Sequence, residues 1–233
     1  MKKRTIITVS IIAGVVLLGG TAVVAWPIVY RDLIVGEAAS APTVTAAPSA
    51  TAGASTIDPA ALSGTWTVAD GSFAGYRVDE VLNDTDVTVV GRTEQVTGSL
   101  AVEDLTLTAA DLTVDVASIT TDSSSRDAYF RDNALRVSEH PEATFMLTGP
   151  VTASATPVVG EVQTLSATGD LTIAGVTRSV TVELQAVLNA GSGQVAGSIP
   201  ITFADFGVEA PNLGFVSVEP DGFIEFSLVI VPA

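Results

Sequence analysis

The chain has 233 residues, a formal net charge of −16, one histidine and no cysteine. The lack of cysteine excludes disulfides, thiol catalysis and cysteine-based zinc sites, and the single histidine, His140, excludes a multi-histidine metal site within one chain. Nucleic acid is an unsuitable partner because phosphate neutralisation requires clustered Lys and Arg, whereas both lysines, Lys2 and Lys3, lie at the N-terminus. The length leaves room for one domain of about 170 residues with additional segments.

Residues 1–35 are predicted to form a transmembrane anchor. A basic head from Lys2 to Arg4 precedes an uncharged apolar stretch at residues 5–30, which is longer than the roughly 20 residues that span a bilayer. The basic head predicts a single pass through the cell membrane, with the N-terminus inside and the rest of the chain outside the cytoplasm. The alternative is a signal peptide, although the usual apolar core of such a peptide has only about 7–15 residues.

Residues 36–61 are predicted to form a disordered linker. They are rich in Ala, Thr, Ser and Pro, contain no aromatic residue and show no periodicity, which is typical of a flexible tether. A random coil of about 25 residues spans roughly 25–30 Å. We therefore expect the linker to hold the following domain near the membrane face.

Residues 62–233 are predicted to form an all-β domain. Val180, Val182 and Leu184 alternate with Thr181 and Glu183, and similar period-two patterns recur to the end of the chain, as in strands with one buried face. Many short strands indicate a sandwich or a barrel, and the one-sided alternation favours an antiparallel barrel of about eight strands. The turn signals between strands are Asn83-Asp84, Gly149-Pro150, Gly169-Asp170, Ala174-Gly175, Gly191 to Gly193, and Asp221-Gly222.

Residues 118–145 form the one long interruption of the strand pattern. Ser123 to Ser125 offer hydroxyl N-caps, and residues 126–135 contain no Gly, Pro or β-branched residue, so a short helix is predicted there. Pro141 then favours an extended start to the next strand. A single short helix between strands predicts a plug or lid over the bore of the barrel.

Short segments of the domain also match, in order, those of a known family. They include the opening Gly-Thr-Trp-Thr-Val-Ala-Asp-Gly-Ser at residues 64–72 and the hairpin Gly-Asp-Leu-Thr-Ile-Ala-Gly-Val-Thr-Arg-Ser-Val at residues 169–180. The other segments are residues 118–121, 126–127, 141–145 and 204–207. Together these segments resemble the YceI-like family. The resemblance covers residues 64–231 and implies an elongated, lipocalin-like barrel that binds polyisoprenoid chains.

The candidate site is the bore of the barrel together with the helix over it. Tyr129 and Phe130 are expected either to pack the helix or to gate access as a lid. Arg126 and Asp127 are expected either to tie the helix to the barrel rim or to contact the ligand. The residues expected to line the bore are Leu112, Val114, Val116, Phe145, Leu147, Leu171, Ile173, Val182, Ile201, Phe203 and Phe226.

Three functions follow from these observations. The first is non-enzymatic binding or carriage of one apolar or amphiphilic lipid, an isoprenoid or an isoprenoid quinone, outside the cytoplasmic membrane. The alternative is a structural or stress-response envelope domain whose bore is filled by its own side chains. An enzyme is the least supported, because the chain has one histidine and no nucleophile motif. No cofactor is expected apart from a bound isoprenoid lipid, and the expected partners are the membrane and that lipid.

Overall fold

The computed structural model describes residues 38–45, 56–82, 84–189, 191–212, 214 and 216–233, and it is almost entirely β-sheet. One short helix, α1 (Ser124–Tyr129), interrupts the strands. The strands are β1 (Gly64–Leu82), β2 (Thr85–Thr93), β3 (Val96–Glu103), β4 (Thr106–Asp115), β5 (Glu142–Leu147), β6 (Val151–Thr152), β7 (Val162–Ile173), β8 (Val176–Asn189), β9 (Ser192–Thr202) and β10 (Val216–Pro232).

The sheet closes into an antiparallel barrel, as expected from the one-sided alternation. Its eight-stranded ring runs β1-β3-β4-β5-β7-β8-β9-β10 and closes where β10 pairs with β1. Strand β2 pairs with the second half of β1, and strand β3 pairs with the first four residues of β1. Together β2 and β3 therefore act as one long partner of β1. A closed ring of this size has an interior wide enough for side chains or for one small ligand.

The alternation of the sequence becomes the two faces of the barrel wall. On β8, Val182 is only 2 % exposed, and it lies opposite Ala167 of β7 on the inner face. Its two neighbours in the chain, Thr181 and Glu183, are exposed. The hydroxyl of Thr181 lies 3.2 Å from that of Thr168 on the outer face. Because side chains alternate along a strand, each polar residue between two apolar ones faces water.

The helix predicted at residues 126–135 is present, but its α-helical part is shorter and begins two residues earlier, at Ser124. The Ser123 hydroxyl accepts a hydrogen bond from the Arg126 N–H at 3.4 Å, which confirms the N-cap. The α-helix begins at Ser124 and gives way at Phe130–Ala134 to one π-helical turn. Val116, expected in a strand, instead begins a 3₁₀ turn (Val116–Ser118), because the Asp115 carboxylate accepts from the Ala117 N–H at 2.9 Å and turns the chain off the sheet.

Two of the predicted turns are wrong, because the glycines involved make room for rings. Gly169 lies inside β7, where a Cβ would come within 2.3 Å of the Phe145 ring. Gly222 lies inside β10, where a Cβ would come within 2.9 Å of Phe203. Phe203 itself, expected in a strand, begins a 3₁₀ turn (Phe203–Phe206) at the end of β9.

Part of the segment expected to be a disordered linker contacts the outer wall of the barrel. The guanidinium groups of Arg77 and Arg92 donate to the carbonyl oxygens of Ala39 and Ser40, and Val44 is buried against β8 and β9. Nearer the barrel, the Ile57 N–H donates to the Pro157 carbonyl at 2.9 Å. The rest of residues 36–61, apart from 38–45 and 56–61, lies outside the described residues.

The predicted transmembrane anchor, residues 1–35, also lies outside the described residues. Within the part of the chain that the structure does describe, none of the helices has the length and apolar character needed to cross a bilayer.

Candidate functional site: the barrel cavity

The barrel encloses a cavity of about 270 Å³ whose wall is almost entirely apolar. For comparison, an apolar cavity of about 150 Å³ is already large enough to hold benzene. Nine of the residues expected from the sequence lie on this wall. They are Leu112, Val114, Val116, Phe145, Leu147, Leu171, Ile173, Val182 and Phe226.

Glycines on the inner wall help to keep the bore open. Gly169 lies beside the Phe145 ring, and Gly197 lies beside the Phe226 ring, where an added Cβ would come within 2.7 Å. Both phenylalanines line the cavity. Because neither glycine carries a side chain, each ring lies close to the wall instead of projecting across the bore.

One end of the cavity is sealed by the segment that carries α1. Val116, Ile119 and Leu135 of this segment are all buried, and all three line the cavity. Beyond them, the Phe130 ring stacks on Tyr76 of β1, with ring centroids 4.9 Å apart and an interplanar angle of 17°. The helix therefore covers this closed end of the cavity, and its role as a gating lid stays a prediction.

A polar network anchors α1 to this closed end. Arg126 donates to the Glu80 carboxylate at 2.8 Å and to Asp122 at 2.6 Å, and Glu80 is only 5 % exposed. Asp127 accepts from the backbone N–H of Thr121 at 2.9 Å and from its hydroxyl at 2.7 Å. These hydrogen bonds satisfy the buried carboxylates. They also tie the helix to the barrel, which is one of the two roles expected from the sequence for Arg126 and Asp127.

Tyr76 links the aromatic stack to this polar network. Its phenol is buried, and that burial raises the pKa of Tyr76 above its ordinary value. The neighbouring Arg126 charge opposes this shift, whereas the nearby carboxylates reinforce it. A buried phenol is favoured in its neutral form because burial penalises the charged state. Burial at the closed end therefore keeps Tyr76 protonated to a higher pH than an exposed tyrosine.

The opposite end of the cavity combines a buried cluster, which includes Leu62, Trp66 and Leu228, with lining residues that are only half-buried. Leu105, Val151 and Leu188 line the cavity there and are only half-buried. Strand β7 pairs with β8 along its whole length but with β5 only at Gly169–Thr172, so the barrel wall is incomplete beside the first half of β7. Because the lining residues Asp104 and Glu161 are exposed there, we infer that this end, remote from α1, is the open end of the bore.

Six residues expected at the site do not lie on the cavity wall. Arg126 and Asp127 belong to the network under the helix, and Phe130 belongs to the aromatic stack. Tyr129 is half-exposed on α1. Ile201 packs against the core at the closed end, and Phe203 packs beside Val78. Contact between any of these six residues and a ligand stays a prediction.

The deciding comparison is with protein-family models. The model described as a YceI-like domain matches residues 48–230, most of the chain. The chain belongs to the YceI-like family. Comparison with curated protein sequences gives no match.

Solved structures support the fold of this YceI-like domain. A polyisoprenoid binding domain from Saccharophagus degradans, described as implicated in plant cell wall breakdown, matches with a TM-score of 0.59 and 19 % identity. The match covers 72 % of this chain and 98 % of that one. BcnA of Burkholderia cenocepacia matches with a TM-score of 0.53 and 21 % identity, over 66 % of this chain and 95 % of the other. At these identities the likeness shows the barrel fold.

The sequence interpretation missed much of the wall of the YceI-like barrel near its open end. Some missed residues share the inner face of a strand whose other members were chosen: Leu228 and Ile230 continue the alternation of Phe226. Extending that alternation would have found them. The missed residues at or near the open end include Leu62, Leu100, Leu105, Leu165, Leu188, Val195, Leu228 and Ile230.

Proposed function

We propose that this YceI-like domain binds one apolar or amphiphilic lipid, an isoprenoid chain or an isoprenoid quinone, in the barrel cavity and catalyses no reaction on it. The observation that carries the proposal is the hollow apolar bore, with its volume of about 270 Å³. The Saccharophagus degradans structure with the same fold is named as a polyisoprenoid binding domain, which supports the same class of ligand here.

The energetics of an apolar bore favour a lipid as its ligand. Removing a methylene group from water contributes about 0.8 kcal/mol, so a long hydrocarbon chain binds without polar recognition along its length. An apolar cavity offers few partners to water, which needs two to four hydrogen bonds to be held. The half-buried side chains of Leu112, Leu165 and Leu184, which line the cavity, would lose their remaining exposure when a chain occupies it.

The alternative function, an envelope domain filled by its own side chains, requires inward residues that meet along the axis. Leu165 argues against this alternative. It lies on the inner face of β7, is half-buried and lines the cavity, and it belongs to none of the packed hydrophobic clusters found among the described residues. A half-buried inward leucine outside these clusters supports a bore that is not filled by its own side chains.

The proposal includes a location outside the cytoplasmic membrane. It rests on the predicted anchor at residues 1–35 and on its basic head. A domain held close to a bilayer has direct access to lipids that are insoluble in water. The proposed role is therefore to extract, shield or hand over one such lipid at the membrane surface.

The test compares two tryptophan variants on one strand. Leu184→Trp places a large ring in the cavity, whereas Thr181→Trp places the same ring on the exposed outer face of β8. We expect native mass spectrometry of the purified full chain to show a bound lipid in the wild type and in Thr181→Trp but not in Leu184→Trp. Lipid associated with the N-terminal segment is common to all three proteins and cancels in the comparison.

Two results would overturn the proposal. One is a wild-type chain that carries no more lipid than Leu184→Trp. The other is a Leu184→Trp variant that is folded by circular dichroism and still retains the full amount of lipid.

A further inference from the structure

The cavity wall carries no positive charge. Among the described residues that line it, none is Lys, Arg or His. The ionisable lining residues are Asp104, in the turn between β3 and β4, and Glu161, immediately before β7. Both are exposed and lie at the open end. Within the part of the chain that the structure describes, a ligand head group at this rim therefore meets carboxylates and no cation.

The surroundings of the rim are acidic as well. A shallow groove beside the cavity is lined by Asp58, Glu103 and Asp104. The Asp58 carboxylate caps the turn Pro59–Leu62 by accepting from the Ala60 N–H at 3.0 Å. The Ser63 hydroxyl donates to the Asp104 carboxylate at 3.4 Å, and this bond holds the Asp104 side chain at the rim.

The arginines of the described residues are all placed elsewhere. Arg126, Arg131 and Arg136 lie on or after α1 at the closed end, and Arg178 lies near the start of β8 at that same end. Arg77 and Arg92 lie on the outer wall, where they pair with the Glu225 carboxylate and bind the carbonyl oxygens of residues 39 and 40.

The closed end does not offer an anion site to a ligand in the reverse orientation either. Arg126 lies there, but its guanidinium donates to both Glu80 and Asp122. With Asp127 buried beside them, this cluster holds three carboxylates against one guanidinium. A phosphate that reached Arg126 would meet the net negative charge of this cluster behind the buried apolar seal.

Neutral polar residues also line the cavity at its open end, and they include Gln163 and Gln194. Gln163, near the start of β7, shares the inner face with Leu165 and lines the cavity. Its amide nitrogen donates one hydrogen to the Ala155 carbonyl at 3.4 Å. A glutamine amide has a second hydrogen and a carbonyl oxygen, which suits a hydroxyl or a quinone carbonyl.

We propose that the ligand carries an uncharged, hydrogen-bonding head group, as in an isoprenoid alcohol or quinone, and that Asp104 and Glu161 discriminate against phosphorylated isoprenoids. This inference rests on the proposed function and narrows its ligand class. Like charges placed a few ångströms apart near a protein surface repel by an amount that corresponds to about tenfold or more in affinity. The discrimination weakens with added salt, because exposed charges are screened.

The experiment measures displacement of a fluorescent apolar probe from the full chain by farnesol, farnesyl phosphate and a short-chain isoprenoid quinone. The first two ligands share one hydrocarbon chain and differ only in the head group. We expect farnesol and the quinone to bind at least about tenfold more tightly than the phosphate. The difference between farnesol and the quinone then identifies which neutral head Gln163 prefers.

A charge-matched pair of double variants assigns the effect to the rim. Asp104→Asn with Glu161→Gln should raise the affinity for farnesyl phosphate by about tenfold and leave that for farnesol unchanged. The asparagine keeps an acceptor for Ser63. Asp111→Asn with Glu183→Gln removes the same charge from exposed positions on β4 and β8, and it should change neither affinity.

The outcomes separate the two proposals. If both farnesol and farnesyl phosphate displace the probe with equal affinity, or the phosphate binds more tightly, the head-group inference is overturned and the lipid-binding function stands. If none of the three ligands displaces the probe, the proposed function is overturned, and the head-group inference fails with it. If the rim variant and the control variant behave alike, the selectivity does not arise from Asp104 and Glu161.

Discussion

The two ends of the barrel are built for different purposes. The end under α1 is packed and bonded: Phe130 stacks on Tyr76, and Arg126 pairs with the buried Glu80. The opposite end has half-buried leucines and an acidic rim, with strand pairing incomplete beside β7. Both ends contain a buried hydrophobic cluster, so the comparison teaches that they differ in the helix, the aromatic stack and the ion pairs that fix one end and in the exposed acidic rim of the other.

The largest effect is expected from breaking the network at the closed end. Arg126→Ala leaves Glu80 buried without its partner, and such a change costs about 3–5 kcal/mol. We therefore expect the free energy of unfolding, measured with urea, to fall by an amount in this range. A smaller loss, with the helix still protected from hydrogen exchange, would show that Arg126 is not what ties the helix to the barrel.

The matched control for Arg126 is an exposed pair on the same segment. Arg136 lies 3.5 Å from Glu139, and their side chains are 53 % and 61 % exposed. Solvent screens such a pair, so Arg136→Ala should cost less than about 1 kcal/mol. Equal losses in the two variants would contradict the contrast between a buried and an exposed arginine.

A second prediction compares two leucines of β7, one in a packed cluster and one that borders the cavity. Leu171 of β7 is 4 % exposed and belongs to the core cluster at the closed end, so Leu171→Ala should cost about 2–4 kcal/mol. Leu165, six residues earlier on the same face of β7, is half-buried and borders the cavity. Leu165→Ala removes fewer contacts and should cost about 1 kcal/mol.

The measurement is urea unfolding of both leucine variants in lipid-free protein. If Leu165→Ala lowers the free energy of unfolding as much as Leu171→Ala does, side chains fill the bore at Leu165. The claim that the bore is hollow there is then wrong. Adding a bound lipid should increase the cost of Leu165→Ala, because the leucine then has a partner to lose.

The last prediction concerns the alkaline pH dependence of the closed end, which is silent at neutral pH. Because burial raises the pKa of Tyr76, the folded chain keeps this proton above about pH 10, whereas the unfolded chain loses it. The folded state then binds more protons, so the free energy of unfolding falls as pH rises, by at most about 1.4 kcal/mol per pH unit. Below about pH 10 the contribution is fully present.

Tyr76→Phe removes this titration and should flatten the stability profile above about pH 10 relative to the wild type. Tyr129→Phe, at a half-exposed position on α1, is the control and should keep the wild-type slope. Superimposable profiles for Tyr76→Phe and the wild type would refute the assignment of the alkaline loss to Tyr76.

Features that depend on near neighbours in the chain were predictable. The alternation of Val180, Val182 and Leu184 predicts a strand with one wet face, and the structure confirms it. The hydroxyl of Ser123 caps α1 as expected. Each of these features is decided within a few residues, because the pleat and the helix cap are local geometries.

The roles of several glycines were not predictable. A Gly-Asp or Asp-Gly pair is a turn signal, but Gly169 and Gly222 instead face the rings of Phe145 and Phe203 from neighbouring elements. The packing of residues 38–45 on the outer wall was likewise missed, because it depends on Arg77 and Arg92 from distant strands. Such contacts have no signature in the local sequence.

The amino-acid sequence by itself determined the all-β class, the face of each strand that turns inward and the place of the single helix, because period-two alternation and capping act over a few residues. The tertiary structure alone decided that the bore is hollow and which of its ends is sealed. Those properties depend on how inward side chains from eight strands fill one shared volume, with Gly169 and Gly197 holding two rings close to the wall. No single strand carries that information.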